Sequence, residues 1–574
     1  MIRCKLRISI LLSVIVGFQP LGQIAFAQSN AGALQQELEK QLPLPTPLPL
    51  PEPAKPVPLG PAQINPSDAV KFVLNGATFD GAESQYESRL RQLAKPWLTK
   101  EVTLSDLENL TMAVAKIYKS DGIHVLVTLP PQEIKNGIVR ILITKSKLGK
   151  VTVISPEGET RFGEKRTLAY VENSNPIGDT VNLQSLERSL IILNETPGVI
   201  AQGQIKKGQN AGETDFQVVL TEPQLLSGKV ELNNYGSVFT GANQALGSII
   251  VSNPLGFGDQ VNVNAVASQG SQYGQFGYNL PVGVSGLRVG IGSSILNFKD
   301  IGSYAYPNGV GGSAWTVGLN GAYPLVRSQA ANLNVGLNYD IKSYTNYLLI
   351  NNETTTAYNI KNLGLNLSGN IYDGFLGGAT SAGSITFVQG YLDNIYPSSR
   401  YDSTPPANFN KVTFSANRVQ LLSSSGGTTL YIAASGQYAS ANLSSAEQFY
   451  LGGPYGVRAY PVAQGAGAQG ALGTIELRQK LPAQFMGYTF FDAGIVQQFK
   501  NTFIGWQGLT NANNTYSLSG AGLGLKWAYR EVVLNAMVAW RVGSNPLYNQ
   551  YGQAVNSDGT NKNPQAWFSA SFYF

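Results

Sequence analysis

From about residue 228 to residue 574, the chain alternates apolar and polar residues along one segment after another. In 332–341 the odd positions are apolar and most even positions are asparagine or aspartate, and the segments 362–371 and 474–481 repeat the pattern. A period of two places successive side chains on opposite faces of a β-strand. A soluble sandwich also alternates, but here nearly every strand pairs an apolar face with an Asn-rich or charged one. That pattern favours lipid outside and water inside.

Composition agrees with a membrane β-barrel. Only 13% of the residues are charged, whereas the chain has 63 glycines, 28 tyrosines and 23 phenylalanines. This balance suits a lipid-facing barrel better than a soluble enzyme. We predict a transmembrane β-barrel of sixteen antiparallel strands over 224–574, and an even number returns both ends of the barrel to the same side. The strands begin near residues 228, 243, 258, 273, 287, 312, 332, 357, 377, 409, 427, 472, 488, 517, 532 and 566.

The first 27 residues have the pattern of a secretory signal peptide. Its basic residues are Arg3, Lys5 and Arg7. An apolar run follows over 8–16, and 25–27 is an Ala-Phe-Ala cleavage site, so that Gln28 is the expected first mature residue. The only cysteine, Cys4, lies inside this segment. The mature chain is therefore expected to contain no disulfide.

Residues 28–42 contain a helical stripe, with Leu34, Leu38 and Leu42 at intervals of four. So short a helix is marginal alone in water and needs a docking site. The periodicity by itself fits a disordered tail equally well. The next segment, 43–66, contains ten prolines and predicts an extended linker. At about 3.1 Å per residue, it would span roughly 70 Å and carry the helix well away from the next domain.

Residues 67–223 predict two similar α/β units, 67–147 and 148–223, each in the order β-α-α-β-β. The first is predicted to have strands over 69–79, 125–129 and 139–144 and helices over 84–93 and 104–120. The second is predicted to have strands over 150–154, 200–206 and 214–220 and helices over 165–170 and 183–194. The two units form an internal repeat of about 75–80 residues.

The residues argue against an enzyme. The single histidine, His124, has no cysteine or second histidine with which to bind zinc, and no Ser/Asp constellation flanks it. Residues 465–470 match G-x-G-x-x-G, but they lie in a loop between predicted barrel strands, and no G-x-x-x-x-G-K-[ST] motif is present. We therefore predict no cofactor, no metal site and no use of ATP. A net charge of +5 over 574 residues gives no argument for nucleic acid.

One arginine and one aspartate form the strongest polar constellation. Asp492 is expected to face the barrel lumen, because the alternate residues Phe491 and Ile495 are apolar and suit lipid. A lumen carboxylate needs a partner or water, and the guanidinium of Arg458, in a long Gly/Ala-rich loop, offers a bidentate bond. Spacing alone equally allows both groups to be solvated in a wet pore.

These segments resemble the motifs of a large outer-membrane superfamily that includes barrel-assembly factors and two-partner secretion transporters. The loop segment Gly456, Val457, Arg458, Ala459 and Tyr460 is similar to the V-R-G-Y motif, and Phe490, Asp492 and Gly494 match F-x-D-x-G. In that superfamily the loop enters the lumen and its arginine meets the strand aspartate. Ala459 stands where the motif has glycine, and because alanine tolerates fewer backbone conformations, we expect a slightly different loop tip with the ion pair intact.

The resemblance covers the mature chain, from about 28 to 574. The repeats resemble POTRA domains, which are periplasmic polypeptide-binding modules, and 183–199, with its Pro-Gly turn, looks like the second POTRA of two-partner secretion transporters. The order plug helix, linker, two POTRA domains and sixteen-stranded barrel resembles the haemolysin-activator and filamentous-haemagglutinin transporter branch, the TpsB proteins. Assembly factors usually have more POTRA domains and lack the helix and linker. The aromatic end, 566–574, resembles the signal that the barrel assembly machinery recognises.

This resemblance implies an outer-membrane pore. Its POTRA domains would recognise a TpsA-like partner exoprotein, adhesin- or haemolysin-like with an N-terminal secretion domain, and the barrel would pass it unfolded to the cell surface without ATP. Residues 28–42 would plug the resting lumen. Outer-membrane lipid and the barrel assembly machinery are the other expected partners. The alternative on the same scaffold is a barrel-protein assembly factor; a passive porin needs no V-R-x-Y loop.

Overall fold

The computed structural model describes residues 30–42 and 71–574, apart from 211, 306–308, 397–404, 424, 508–512 and 549–550. The predicted signal peptide, with Cys4, and the predicted proline-rich linker 43–66 lie outside the described residues. None of the described helices is both long and apolar enough to cross a membrane.

Helix α1 (Ala31–Glu39) is present where the leucine stripe predicts it. Asn30 caps it, because the side-chain oxygen accepts a hydrogen bond from the Gly32 N–H and satisfies one of the free donors of the first turn. The helix and the residues that follow it as far as Leu42 are largely buried inside the barrel. The disordered-tail interpretation is therefore wrong for this segment.

The first α/β unit has a three-stranded sheet in the order β2-β5-β4, with a separate β1-β3 pair. Its elements are β1 (Phe72–Leu74), β2 (Gly76–Asp80), α2 (Ser84–Ala94), β3 (Lys100–Val102), α3 (Leu104–Ser120), β4 (Val125–Thr128) and β5 (Ile138–Lys145). The single strand predicted over 69–79 is wrong, because two short strands occupy it. The chain bends at Asn75, whose N–H donates to Gly137 O, so that β1 pairs with β3 and β2 with β5.

The second α/β unit repeats the arrangement. It consists of β6 (Lys147–Ile154), α4 (Glu164–Ser174), α5 (Leu183–Asn194), β7 (Ile200–Lys207) and β8 (Glu213–Thr221), with the sheet order β6-β8-β7. Asn182 caps α5 through two backbone N–H groups. Each unit buries its own apolar cluster between sheet and helices, around Leu110 in the first and Leu193 in the second. The two POTRA-like units are thus separate cores joined in one chain.

Sixteen antiparallel strands close into a barrel, which confirms the predicted fold. They are β9 (Leu226–Asn233), β10 (Gln244–Ser252), β11 (Gln260–Ser268), β12 (Ser271–Val282), β13 (Leu287–Lys299), β14 (Val310–Arg327), β15 (Ala331–Leu348), β16 (Thr354–Asp373), β17 (Ala379–Tyr396), β18 (Asn408–Leu421), β19 (Thr428–Ala439), β22 (Gln469–Lys480), β23 (Phe485–Gln497), β24 (Thr515–Tyr529), β25 (Val532–Arg541) and β26 (Gln565–Tyr573). The two-residue strands β20 (Phe449–Tyr450) and β21 (Ala466–Gly467) lie in the loop between β19 and β22. Every strand begins within three residues of its predicted start.

The alternation in the sequence becomes the two faces of the barrel wall. Leu337 and Leu365, for example, are 54% and 53% exposed on the outside, while their neighbours Asn338 and Asn366 belong to the inward-facing set. The barrel closes where β26 pairs with β9, from Ser569–Asn233 to Tyr573–Lys229. Each of the described barrel strands thus has a paired neighbour on both sides, which satisfies the backbone groups that face lipid.

The second α/β unit rests against one end of the barrel. Arg327, at the end of β14, binds the Glu195 carboxylate at 2.7 Å. Arg188 on α5 donates to Pro324 O at 2.7 Å, and the Gln329 N–H donates to Glu187 at 3.2 Å. These contacts fix which end of the barrel carries the units, and we call it the unit end.

Candidate functional site

The loop between β19 and β22 folds into the lumen instead of extending away from the barrel. Val457, Ala459 and Tyr460 have no solvent exposure. The loop is a compact hairpin, because the Val457 N–H donates to Leu451 O at 2.7 Å and the Leu451 N–H donates to Gln464 O at 3.1 Å. These backbone bonds give the loop a fixed shape, and its side chains are therefore presented to the wall in one orientation.

The structure brings Arg458 and Asp492 together. Arg458 Nε lies 2.9 Å from Asp492 Oδ2 and Nη2 lies 2.8 Å from Oδ1, which is a bidentate pair. The guanidinium carbon lies 3.3 Å from the centroid of the Phe490 ring, so the charge also stacks on an aromatic face. We call Arg458, Asp492, Phe490 and the additional partner Glu476 the anchor site.

Asp492 is fully buried, and its carboxylate is well supplied with donors. Besides the two guanidinium bonds, it accepts from the Arg458 N–H at 3.2 Å and from Thr474 Oγ1 at 3.0 Å. A buried carboxylate is costly unless it is paired and hydrogen-bonded. The four donors offset that cost, so the loop is held by its backbone as well as by its side chain.

Sequence reasoning missed Glu476 as a partner of the loop. Its carboxylate accepts from Arg458 Nη1 at 2.8 Å and from Arg478 Nε at 2.7 Å. The signal was present in part, since Glu476 and Arg478 stand on the polar face of the alternating segment 474–481. Its partner depended on strand register, which places Glu476 opposite Phe490.

Two glycines on the barrel wall, Gly520 and Gly494, make room for the loop at the anchor site. The backbone at Ala459 lies outside the positive-φ region, and its methyl group fits because the facing residue on β24 is Gly520, where a Cβ would press against it. On β23, a Cβ at Gly494 would overlap the Leu451 side chain. Gly494 therefore leaves room for the loop to lie close to the wall.

Helix α1 lies against another part of the inner wall. Leu34 and Leu38 of the helix, and Leu42 just after it, join an apolar cluster on the wall that includes Leu246, Val266 and Leu296. Three hydrogen bonds fix the position of the helix along the barrel axis. Gln35 Nε2 donates to Thr316 Oγ1 at 2.9 Å and to Ser294 Oγ at 3.2 Å, and the Ala31 N–H donates to Asn346 Oδ1 at 2.9 Å.

The helix also contacts the lumen loop. Ser445 Oγ donates to the capping oxygen of Asn30 at 2.6 Å, and Gln36 Nε2 donates to Ser445 O at 3.3 Å. Gly32 lies so close to Ala446 that a Cβ on the glycine would meet its backbone. The start of α1 thus rests on the stretch of loop that precedes β20.

The next residue of the loop after Ala446 is held by a second ionic cluster. The sequence analysis did not predict this cluster. Glu447, only 2% exposed, binds Lys411 at 2.6 Å and Lys342 at 3.1 Å, and it accepts from Asn362 Nδ2 at 2.8 Å. The three partners come from β18, β15 and β16. We call this group the Glu447 clamp, because it holds the part of the loop on which α1 rests.

The helix and the loop do not pack tightly everywhere. A small cavity of about 30 Å³ lies between them and is lined by Glu37, Lys40, Tyr450 and Tyr455, among others. Helix α1 is held mainly by the wall cluster and by Ser445–Ala446, and none of the hydrogen bonds described for it involves the anchor site.

Outside the barrel, the second unit presents an open sheet edge. Strand β7 pairs with β8 on one side, and in the described part of the chain no strand pairs with its other side. Ile200 and Ile205 on this strand are 40% and 45% exposed.

His124 lies between the two units. Its backbone N–H donates to Val181 O, and burial lowers the pKa of its imidazole.

Comparison with known proteins agrees with this architecture. The family model described as haemolysin secretion/activation protein ShlB/FhaC/HecB matches residues 212–527, and that of the ShlB-type POTRA domain matches residues 72–146. The chain is 24% identical over 537 residues to the heme/hemopexin transporter protein HuxB of Haemophilus influenzae, covering 91% of this chain and 93% of that protein. It is 23% identical over 438 residues to the outer membrane transporter CdiB of Dickeya dadantii, covering 74% of each.

Solved structures share the fold. CdiB from Escherichia coli matches with a TM-score of 0.65 at 18% identity, over 94% of this chain and 95% of that one. BamA from Haemophilus ducreyi, lacking POTRA domains 1–3, matches with a TM-score of 0.53 at 13% identity, over 88% and 100%. Because the family model spans more than half of its residues, this chain belongs to the haemolysin secretion/activation protein family ShlB/FhaC/HecB, the outer-membrane transporters of two-partner secretion.

Proposed function

We propose that this transporter secretes one large partner exoprotein, recognised in the periplasm by the POTRA domains and passed unfolded through the barrel. The observation that carries the proposal is a lumen occupied by two segments of the chain itself, α1 and the loop between β19 and β22. A passive pore needs neither α1 nor a loop held by Arg458 and Asp492. A conduit that opens only for its passenger needs a closure that can be displaced.

The periplasmic capture step is proposed for the open edge of β7. An extended segment of the exoprotein can add to this edge as a strand, because its backbone would pair with the free groups of β7. The exposed Ile200 and Ile205 would contact its apolar side chains. Such binding is expected to be modest in affinity, since a disordered chain must become ordered when it docks.

Transport is proposed to run without ATP. The sequence has no P-loop motif. Folding of the exoprotein outside the cell would make its return unfavourable. We propose an adhesin- or haemolysin-like exoprotein with an N-terminal secretion domain as the partner class. Two POTRA units and a helix in the lumen favour this function over barrel-protein assembly.

The test measures secretion of a large exoprotein, which the proposal expects to be encoded beside this gene. Cells that express both proteins should release the exoprotein or display it, and cells without the transporter should retain it in the periplasm. The matched control is the amount of other barrel proteins in the outer membrane. If that amount falls while exoprotein release is unchanged, the chain is an assembly factor and the proposal is wrong.

A further inference from the structure

The turn between β10 and β11, at the unit end, buries polar residues and exposes two large apolar ones. Leu255 and Phe257 are 63% and 49% exposed, whereas Asn253 and Asp259 have no solvent exposure. The Asn253 N–H donates to Asp259 O at 2.6 Å, and Asn253 Oδ1 accepts from the Gly258 N–H at 2.7 Å. Because these buried hydrogen bonds fix the shape of the turn, the exposure of the two apolar side chains is a property of the fold.

The exposed pair continues the lipid-facing surface of the barrel. Ile249 on β10 is 43% exposed, and Leu226, which pairs with Val251 at the end of the same strand, is 47% exposed. The turn follows directly after β10, so Leu255 and Phe257 lie where the lipid-facing wall ends on the periplasmic side. In membrane barrels, apolar and aromatic residues at this level contact the headgroup boundary of the bilayer.

The second POTRA domain docks on this turn and places a cation on the Phe257 ring. Arg161 Nη1 donates to Asn253 O at 3.2 Å. The guanidinium carbon of Arg166, on α4, lies 4.8 Å from the centroid of the Phe257 ring, which is within the range of a cation–π contact. Arg166 Nη1 also donates to Phe162 O at 3.1 Å. The guanidinium is thereby held beside an apolar residue of the barrel.

The cations of this segment differ in their partners. Arg161 is paired with Glu222 at 3.2 Å, whereas Lys165 and Arg166 are exposed and form no salt bridge with the described residues. Glu164, in the same first turn of α4, offsets one of these two charges, so one positive charge remains in excess beside the apolar turn. A guanidinium in such a position can bind a phosphate group, because its planar N–H groups match two phosphate oxygens.

We propose that Leu255, Phe257, Lys165 and Arg166 form a binding site for an anionic phospholipid of the periplasmic leaflet, with its acyl chains on the apolar pair and its phosphate on Arg166. Basic and apolar groups together provide the two attractions that hold a segment at a membrane surface. Because Phe257 belongs to the barrel and Arg166 to the second POTRA domain, one lipid contacts both sides of their joint. The lipid therefore stabilises the orientation of this domain, and with it the direction of the open β7 edge.

Native mass spectrometry of the full-length transporter tests the headgroup contact. The protein is released from nanodiscs that contain equal amounts of phosphatidylglycerol and phosphatidylethanolamine, and the wild type should retain phosphatidylglycerol. Lys165→Gln combined with Arg166→Gln should lower that retention about ten-fold. Lys116→Gln combined with Lys119→Gln is the matched control, because it removes two exposed charges from α3 of the first POTRA domain and should change nothing.

Two outcomes of this experiment overturn the inference. The first is equal retention of phosphatidylglycerol by the two double variants, which would show that these cations do not select the lipid. The second is complete displacement of the lipid by inorganic phosphate, which would show a site for free phosphate that makes no use of the apolar pair.

A depth measurement tests the contact with the bilayer. The only cysteine is Cys4, in the predicted signal peptide, so Leu255→Cys can carry a single spin label in liposomes of the same two lipids. This label should be relaxed more by oxygen, which dissolves in the bilayer, than by a water-soluble nickel complex. Ser425→Cys, on the exposed turn between β18 and β19 at the same end of the barrel, should show the reverse. If position 255 is as accessible to nickel as position 425, the turn lies in water and the inference is wrong.

Discussion

Two regions of the same inner wall differ in the charge that they carry and in what they hold. At the anchor site, Arg458 and Asp492 are nearly dry, and charge-assisted bonds of fixed geometry hold a loop of the chain itself. Nearer the unit end, the uncharged Asn338 and Asn366 face the lumen and bond within the wall, to Asp340 at 2.8 Å and to Thr386 at 2.8 Å. Strong directed bonds suit a segment that must stay in place, and the loop is held where such bonds are concentrated.

The largest effect is expected when the anchor site is broken. Asp492→Ala leaves Arg458 without its main partner, at a cost of order 3–5 kcal/mol if fully buried and less if water enters. The barrel ladders should survive, so the variant should still insert, but secretion should be lost because the loop no longer keeps its position. Exoprotein release and heat-modifiable mobility of the barrel measure the two properties.

The Arg458–Asp492 pair also predicts how the two single substitutions combine in a double variant. Arg458→Ala, Asp492→Ala and their combination should have similar, non-additive secretion defects, because all three remove one interaction. Strictly additive defects, or full secretion by either single variant, would show that the two side chains act separately.

The Glu447 clamp sharpens the comparison. Its Lys342 stands on β15, and the same strand carries the uncharged Asn338 nearer the unit end. Glu447→Gln leaves Lys342 and Lys411 without a carboxylate, and since both lysines are partly exposed we expect a cost of roughly 2–3 kcal/mol. The loop stretch under α1 should loosen, and planar-bilayer recordings should show more frequent open events. Glu476→Gln is the control, because it contacts Arg458 and not the helix support; an equal rise in both variants would contradict the assignment.

A smaller effect is expected at the contact between the helix and the loop. Gly32→Val cannot keep its close approach to Ala446, and overpacking should cost about 1–2 kcal/mol. Conductance should rise towards that of a variant lacking residues 28–42. Ala33→Val places the same side chain towards the small cavity between the helix and the loop and should leave conductance unchanged. If deletion of 28–42 does not raise conductance, the helix does not occlude the lumen.

The smallest effect is expected at Ala459. Ala459→Gly restores the residue that the resembling motif has, but removes a methyl group packed against Gly520, at about 1 kcal/mol. Because the backbone there needs no positive φ, we expect secretion close to wild type. A large gain in secretion would mean that the alanine strains the loop tip.

Periodicity was enough to place the strands, because the two faces of a lipid-bounded wall differ in every strand. The same alternation shows that Asp492 and Glu476 belong to inward-facing sets. It does not show that Thr474 lies opposite Asp492, which depends on the register between β22 and β23. The ionic contacts of Glu447 could not be predicted from the sequence, for a different reason. It lies in an irregular loop, and its partners Lys342 and Lys411 are brought together by the register and curvature of β15–β18.

The apolar cluster against which α1 packs has a consequence for the permeability of the outer membrane. When the helix leaves, Leu246, Val266 and Leu296 remain on the wall and face the opened channel. Hydrophobic constrictions in pores resist wetting and block ions without any moving part. We therefore expect the displaced state to leak small ions and polar antibiotics less than its width suggests, so that secretion proceeds without loss of the outer membrane's permeability barrier.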